Sequence, residues 1–462
     1  MATLQEKVLA LYEFVRTNLY LTAEDLTIGQ RSFSSTLLFV ILGFITRMNV
    51  LLLGEYGTGK TTSAELVGSI LAGIPLNVVI QSEVRASPEI TDQTLKARPD
   101  LGKLNQGIEE VRWTFFTKCP IHIIDELPRM PEIKQAMILE GIRTGQWIYL
   151  GQMLTTKKTS LFATGNWDSL GGSFDLTPAL RDRFGVAVET LYSGARISAR
   201  IASLRAEEAI KGFGLNDFAE DAVELLGHTY NATALSQLSE KFKGHIADRG
   251  VPTISEGEFD AARKEITDLP FSSDASLFFE VLTSSLNFCM RTGQKRSTRF
   301  GEGAVDTDCP EDCRFNGTSC SRVRNGGSRR KERDIRLLSQ ALAWVMGNPQ
   351  VQVTHLKACA PFVLWHRAIF SSSFLAELKN QERVLPLNLE AAHRYVDQLY
   401  SEFEVRRIMI MEVLDYIERQ PAEAALGRVT MHGRTYTDQQ LPHPFLIDCV
   451  RHVQATRSLV AV

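Results

Sequence analysis

The chain has 462 residues, 44% of them hydrophobic and 23% charged, with 51 Lys and Arg against 54 Asp and Glu for a net charge of −3. This is the composition of a globular protein of about three domains, which excludes a disordered chain, a fibre and a small stapled module. The near-neutral balance (pI ≈ 6.4) argues against a surface built throughout for nucleic acid, and seven cysteines are too few, and odd in number, for a secreted disulfide scaffold.

Apolar positions at Leu4, Val8, Leu9, Leu11, Tyr12 and Val15 predict a helix over residues 3–18. Glu6 and Glu13 fall inside that pattern and no small-residue cleavage site follows, so no secretory signal is read. The longest apolar run, Leu37 to Ile45, is far short of the roughly 20 residues that span a bilayer. The expected address is the cytoplasm, with no membrane partner.

A second apolar helix from Ser34 leads into Val50–Leu53, read as a buried strand closed by Gly54, and a helical stretch follows over Thr61–Ala72. Further buried strands are expected at Asn77–Gln81, Ile121–Ile124 and Ser160–Thr164. Short apolar strands alternating with helices predict an α/β fold with a parallel sheet. After about residue 195 helical periodicities take over, interrupted by a polar stretch from Gly293 to Arg336.

Gly54-Glu55-Tyr56-Gly57-Thr58-Gly59-Lys60-Thr61 fits G-x-x-x-x-G-K-[ST] between a predicted strand and a predicted helix. The glycines let the backbone curl so that its N–H groups, with the helix N-terminus, face phosphate oxygens. Lys60 would place a point charge at the β/γ-phosphates and the Thr61 hydroxyl would help hold Mg²⁺, with Thr62 completing the loop. The plainer alternative is a Gly-rich turn. The apolar run Ile121–Ile124 ends in Asp125 and Glu126, at the strand end where α/β sheets place ligand chemistry. Asp125 would act on Mg²⁺ and Glu126 would polarise the attacking water, against the alternative of two acids capping a helix. His122 reads as a core or edge histidine. Ala163-Thr164-Gly165-Asn166 ends another strand with an amide able to donate to a phosphate or orient a water, and Arg183 in Leu180–Phe184 would reach another subunit's nucleotide or form a surface ion pair.

Together these residues resemble an AAA+ ATPase of the MoxR branch, in the group with a helix-2 insert and a hairpin before sensor 1. The resemblance covers most of residues 25–372. Ile28-Gly29-Gln30 is similar to the I/V-G-Q segment lining the family's adenine pocket, and Asp125-Glu126-Leu127-Pro128-Arg129-Met130-Pro131 resembles its D-E-I-N-R-A-P box. Ala163–Asn166 resembles its sensor 1, Asp182-Arg183-Phe184 its arginine-finger D-R-F, and Gly326–Arg330 its G-A-S-P-R, with Arg330 preferred to Arg329 as sensor 2. The stretch ending at His366-Arg367 matches its lid helix. Pro128 replaces Asn, Glu55-Tyr56 replaces Pro-Pro, and Gly165 replaces Gln; none of these removes a group needed for hydrolysis.

The resemblance implies a Mg²⁺-dependent ATP hydrolase with a P-loop AAA+ core (1–195, with a helical segment 1–24), a helical linker insertion (196–253), an all-α lid (254–372, with a cysteine-containing insert 289–325) and a helical C-terminal extension (373–462). It implies a homo-oligomeric, hexameric ring with ATP between subunits, remodelling a protein client, often one carrying a von Willebrand A-type domain, and maturing or inserting a metal cofactor. Residues 96–107 match the helix-2 insert, and 146–159 read independently as a hairpin with a Leu-Gly-Gln turn; the resemblance implies that both loops face the ring's axis or its partner surface, the alternative being that Trp147 and Tyr149 pack the hairpin. Alternatives are a metal-chelatase motor subunit, a DNA-translocating motor and a non-catalytic nucleotide switch. Nucleic acid is disfavoured, because Glu332 and Asp334 interleave with the basic run Arg322–Arg336.

Cys309, Cys313 and Cys320 are spaced C-x3-C-x6-C, with Cys289 upstream. Four thiolates would close a zinc site or hold an iron–sulfur cluster and so fix a polar loop; the alternative is free thiols on an exposed loop. Cys119, Cys359 and Cys449 read as small core residues.

Overall fold

The computed structural model describes residues 3–166, 176, 178–290, 308–431 and 433–460, with side chains to residue 456. They form two compact units, Met1–Pro270 with Leu337–Gln350, and Phe271–Arg336 with Val351–Val462. Residues 291–307 of the expected cysteine-containing insert lie outside the described residues.

In the first unit one parallel sheet contains β1 (Val50–Gly54), β2 (Val84–Arg85), β3 (His122–Asp125), β4 (Leu161–Gly165) and β5 (Val186–Thr190), in spatial order β5-β1-β4-β3-β2. All of β1 is buried, as expected for an unbroken apolar run with a neighbour on each side. Register pairs Ala163 with both Leu51 and Ile124, and Thr190 with Gly54, so the C-terminal ends of these strands emerge along one edge. α1 (Ser35–Thr46) starts at Ser34, whose hydroxyl accepts from the Leu37 N–H, and nearly every residue of it is buried. α2 (Lys60–Ala72) begins after Gly59 (φ 78°) and stops at Gly73 (φ 66°), both left-handed.

The strand expected at Asn77–Gln81 is instead part of a helix, Leu76–Ser82, opened by Pro75. Its buried residues, Leu76, Val78, Val79 and Ser82, follow helical turns, and a run of three apolar residues, Val78 to Ile80, does not separate the two periods. The sheet position is taken by the two-residue β2, and β5, short and ending in Glu189-Thr190, is a strand that the sequence pattern does not single out.

The hairpin forms as Gln146–Tyr149 against Gln152–Thr155, turning through Leu150 (φ 46°) and Gly151 (φ 73°). Trp147 is buried against Phe116 and His122, so its part is packing. Next to it, the segment 97–113 folds as Ala97–Pro99 paired with Val111–Trp113, and Gln152 donates to the Glu109 carbonyl. α3 (Glu132–Thr144) carries Gly141, where a Cβ would stand 2.5 Å from the Trp147 ring.

His122 is 1% exposed, stacked on Trp147 at 5.6 Å and sharing a 2.7 Å hydrogen bond with Thr159. Burial pulls its pKa from 6.5 down to about 3, so the folded state keeps the ring neutral while the unfolded chain binds a proton below about pH 6.5. The stability this group contributes is complete above that pH. It is lost as pH falls towards about 3, by about 1.4 kcal/mol per pH unit. His122→Phe keeps the aromatic packing and is expected to flatten that slope in urea denaturation between about pH 6 and 4; an unchanged slope would assign the acid sensitivity elsewhere.

Residues 196–253 lie in the first unit and contain Ala195–Ser203, Ala206–Gly212, Ala219–Gly227 and α4 (Ala232–Ala247), followed by α5 (Glu256–Asp268). The helix α6 (Arg330–Val345) begins in the second unit and ends in the first. The second unit is mostly helical, with the 33-residue α7 (Leu387–Arg419) its longest element. It also holds two small antiparallel pairs, Val323–Asn325 with Ile369–Phe370 and Arg428–Met431 with Arg434–Thr437. The C-terminal extension, expected to be helical, therefore includes a hairpin. Among the described residues no single helix is long and apolar enough to cross a membrane.

Candidate nucleotide-binding site

β1 delivers Gly54 to the C-terminal edge of the sheet, and the loop to α2 turns on Gly54 (φ 142°), Gly57 (φ 74°) and Gly59 (φ 78°), backbone states that side chains with a Cβ rarely adopt. A Cβ at Gly54 would also lie 2.7 Å from the Thr190 carbonyl oxygen. Lys60 is buried, and its Nζ donates to the Gly54 and Glu55 carbonyls (3.0 and 2.5 Å) and to Asn166 Oδ1 (2.9 Å). Burial lowers the Lys60 pKa from the ordinary lysine value, and the charges of Asp125, Glu126 and Glu55 oppose that shift.

On β3 and β4 the acids and hydroxyls meet. Thr61 Oγ1 donates to Asp125 Oδ1 at 2.8 Å, and Thr164 Oγ1 donates to the same oxygen at 2.6 Å while accepting from the Glu126 N–H at 3.0 Å. Glu126 has a left-handed backbone (φ 55°), unusual for a residue with a side chain, and its carboxylate pairs with Arg129 at 2.9 Å. Thr61 and Asp125 present hard oxygen donors side by side, the set Mg²⁺ takes, so the residues present fit that ion.

The structure thus brings together Lys60, Thr61, Asp125, Glu126 and Asn166. Ile28 is buried on a short strand paired with Arg31–Phe33, and Gly29 (φ 60°) makes the turn between them. Glu55, Tyr56 and Thr62 are exposed. Arg183 is half-buried and donates to the Ala136 carbonyl on α3 at 3.3 Å. Arg330 opens α6 in the second unit, where its N–H donates to the Ser328 hydroxyl.

Two residues at the loop, Thr190 and Tyr20, escape sequence reasoning because no motif contains them, and a third, Thr164, stands in the sensor 1 segment without its own part being legible there. Thr190, at the end of β5, shares a 2.8 Å hydrogen bond with Thr58 and donates to the Leu53 carbonyl. Tyr20 lies against Gly59, its ring 2.9 Å from where a Cβ would stand, and burial pushes its hydroxyl pKa up. Thr164 couples Asp125 to the Glu126 backbone. Behind Asp125, Glu65 and Glu83 hydrogen-bond to each other; burial and that partner push Glu83 up to about 8, so the pair holds one proton at neutral pH. Two departures from the MoxR pattern also prove to be neighbours. A Cβ at Gly165 would lie 3.1 Å from Cγ and Cδ of Pro128, so the glycine leaves room for the proline.

No profile of a known protein family matches the chain, and no curated protein matches it in sequence. Among solved structures it is similar to a crystal structure from Cytophaga hutchinsonii described as a candidate ATPase, with 15% identity and a TM-score of 0.52 over 86% of this chain and 94% of that one. The chain has an AAA+ ATPase fold. In that fold the motif residues occupy the edge of the sheet where β1, β3 and β4 end.

Cys309 hydrogen-bonds to Cys313, and burial, that bond and the nearby Cys320 and Cys289 push its thiol up to about 12. The four share one neighbourhood, and among the described residues no three His, Cys, Asp or Glu side chains are placed to hold a metal ion, so the structure lends the expected zinc or iron–sulfur centre no support. Cys119 and Cys359 are buried as expected, and Cys449 is half-buried.

The basic run is also redistributed. Lys331, within that run, is fully buried, and its Nζ donates to Asn287 Oδ1 (2.8 Å) and to the Ser328 and Gly327 carbonyls. Arg322 pairs with Glu377, Arg324 approaches Asp308, and Arg336 lies over the Phe271 ring.

Proposed function

We propose that this chain is a Mg²⁺-dependent ATP hydrolase, an AAA+ motor of the MoxR type that works as a homo-oligomeric ring on a protein client. The observation that carries this reading is the convergence of Lys60, Thr61, Asp125, Glu126 and Asn166 at one edge of a parallel sheet ordered β5-β1-β4-β3-β2. Lys60 exchanges its carbonyl partners for phosphate oxygens, Thr61 and Asp125 hold Mg²⁺, Glu126 takes a proton from the attacking water, and Asn166, released from Lys60, orients that water or a phosphate oxygen. When bound, Mg²⁺ supplies charge neutralisation at the β- and γ-phosphates. Arg183, on the turn after residues 178–181, serves a neighbouring subunit's nucleotide, and Arg330 serves as sensor 2.

A protein client fits the exposed apolar side chains on the two loops that the MoxR resemblance assigns to the axis or partner face. Leu101, Leu104 and Ile108 lie on one, and Ile148, Leu150 and Met153 on the other. The contacts that occupy Lys331, Arg322 and Arg336 weigh against a DNA track along that run.

The test is ATP turnover by the purified full chain. Hydrolysis is expected to require Mg²⁺ and to fall about 100-fold or more in Lys60→Ala, with nucleotide affinity lost as well. A wild-type chain that neither binds nor hydrolyses ATP would overturn the reading.

A further inference from the structure

At the opposite edge of the sheet from the phosphate loop, the first unit carries a half-open cavity of about 120 Å³. Its walls come from the segments that lead into the strands (Arg47 before β1, Lys118 to Pro120 before β3, Thr156 to Ser160 before β4), from the last turn of α2, and from Tyr230, α4 and α5. α2 has 13 residues, so its two ends stand about 20 Å apart, and nothing bound here would touch the nucleotide. α4 belongs to the stretch 196–253, which is longer than the MoxR pattern requires and has no other assigned purpose.

The lining is strongly cationic. Arg47, Lys118, Lys157, Lys158, Lys243 and Arg263 face it, with Glu256 as the lining acid. Some of this charge is spoken for: Lys118 donates to the Leu226 and His228 carbonyls, Lys157 pairs with Glu256, and Arg263 pairs with Asp260 and donates to the Ile45 carbonyl. Lys243 is different. Its side chain is 6% exposed, its ammonium stands 3.9 Å from Glu240 and 5.2 Å from the centre of the Phe259 ring, and it makes no hydrogen bond among the described residues. Burial lowers its pKa, and the charges of Glu240, Glu256 and Glu258 oppose that shift. Its stem is buried while its ammonium, at the long end of the ion pair with Glu240, keeps N–H groups open to a further acceptor in the cavity. Lys158, exposed at the same cavity, has no ion pair among the described residues.

We propose that this cavity binds a small oxyanion, a phosphate or a short carboxylate, whose charged end accepts from Lys243 and Lys158 and whose body rests against Phe44, Leu71 and Phe259. The volume limits the ligand to a few heavy atoms, since a cavity of about 150 Å³ holds a benzene.

Isothermal titration of the full chain with inorganic phosphate, and separately with acetate, at constant ionic strength tests this. Binding of either is expected in the wild type and in Lys60→Ala, where the phosphate loop is disabled. It is expected to disappear in Lys243→Met, which keeps the stem and removes a buried charge, and to weaken about two- to fivefold in Lys158→Ala. Phosphate alone or acetate alone would assign the ligand class. Binding that is lost in Lys60→Ala and kept in Lys243→Met would place the only anion site at the phosphate loop and overturn the proposal, as would the absence of heat with both anions. Should Lys243→Met fail to fold, Lys158→Ala decides: unweakened binding there overturns the proposal.

Discussion

Replacing Glu126 with Gln is expected to lower ATP turnover about 100-fold or more while leaving ATP binding within a few-fold of wild type. The amide keeps the size and the hydrogen bonds of the carboxylate but cannot take a proton from water. Binding should persist because Lys60, Thr61 and the loop N–H groups, which face the phosphates, are untouched. The structure adds a second variable. Glu126 is paired with Arg129 at 2.9 Å, and the carboxylate must leave that partner to reach an attacking water. Its backbone is pinned as well: the N–H is held by Thr164, and the left-handed conformation costs of the order of 1 kcal/mol that the surrounding contacts must offset. Turnover by Glu126→Gln within threefold of wild type, measured in steady state with saturating Mg²⁺ and ATP, would remove Glu126 from the role of base.

The legible part of this protein is the part written in local pattern. The phosphate loop, the paired acids, the helix Leu4–Asn18 and the hairpin at residues 146–155 each carry their instruction within about ten residues, as glycines at turning points, an apolar run before an acid, or a helical repeat. What stayed hidden depends on neighbours distant in sequence. Thr190 matters because β5 pairs with β1, and nothing in Val-Ala-Val-Glu-Thr announces that partner. The exchange of strand for helix at Leu76–Ser82 has the same origin: both readings bury Val78 and Val79, and packing chooses between them. Lys331 illustrates it most plainly. A lysine inside a basic run reads as a solvated face, and only the helix end at Gly327-Ser328 and the facing Asn287 supply the oxygens that make its burial possible.

Asp334→Ala is expected to destabilise the second unit by about 3–5 kcal/mol, the usual size of effect when one partner of a buried ion pair is removed. Arg367 is 1% exposed and its Nη2 donates to Asp334 Oδ2 at 2.7 Å, while the Asp334 carboxylate is itself only 5% exposed. Deleting the acid leaves a guanidinium that, unlike a histidine or lysine, cannot shed its proton to escape burial. Asp334 also pairs with Arg333 at 3.2 Å, but that arginine is 77% exposed, so Arg333→Ala should cost no more than about 1 kcal/mol. The contrast between the two variants in urea denaturation separates buried pairing from general charge balance. Equal losses would mean that the acid serves the surface network rather than Arg367. The same pair explains the position of His366-Arg367 at the end of its helix: the arginine ties Val353–Leu364 to the first turn of α6 through Asp334, so a residue that reads in sequence as one more positive charge joins two helices of the second unit.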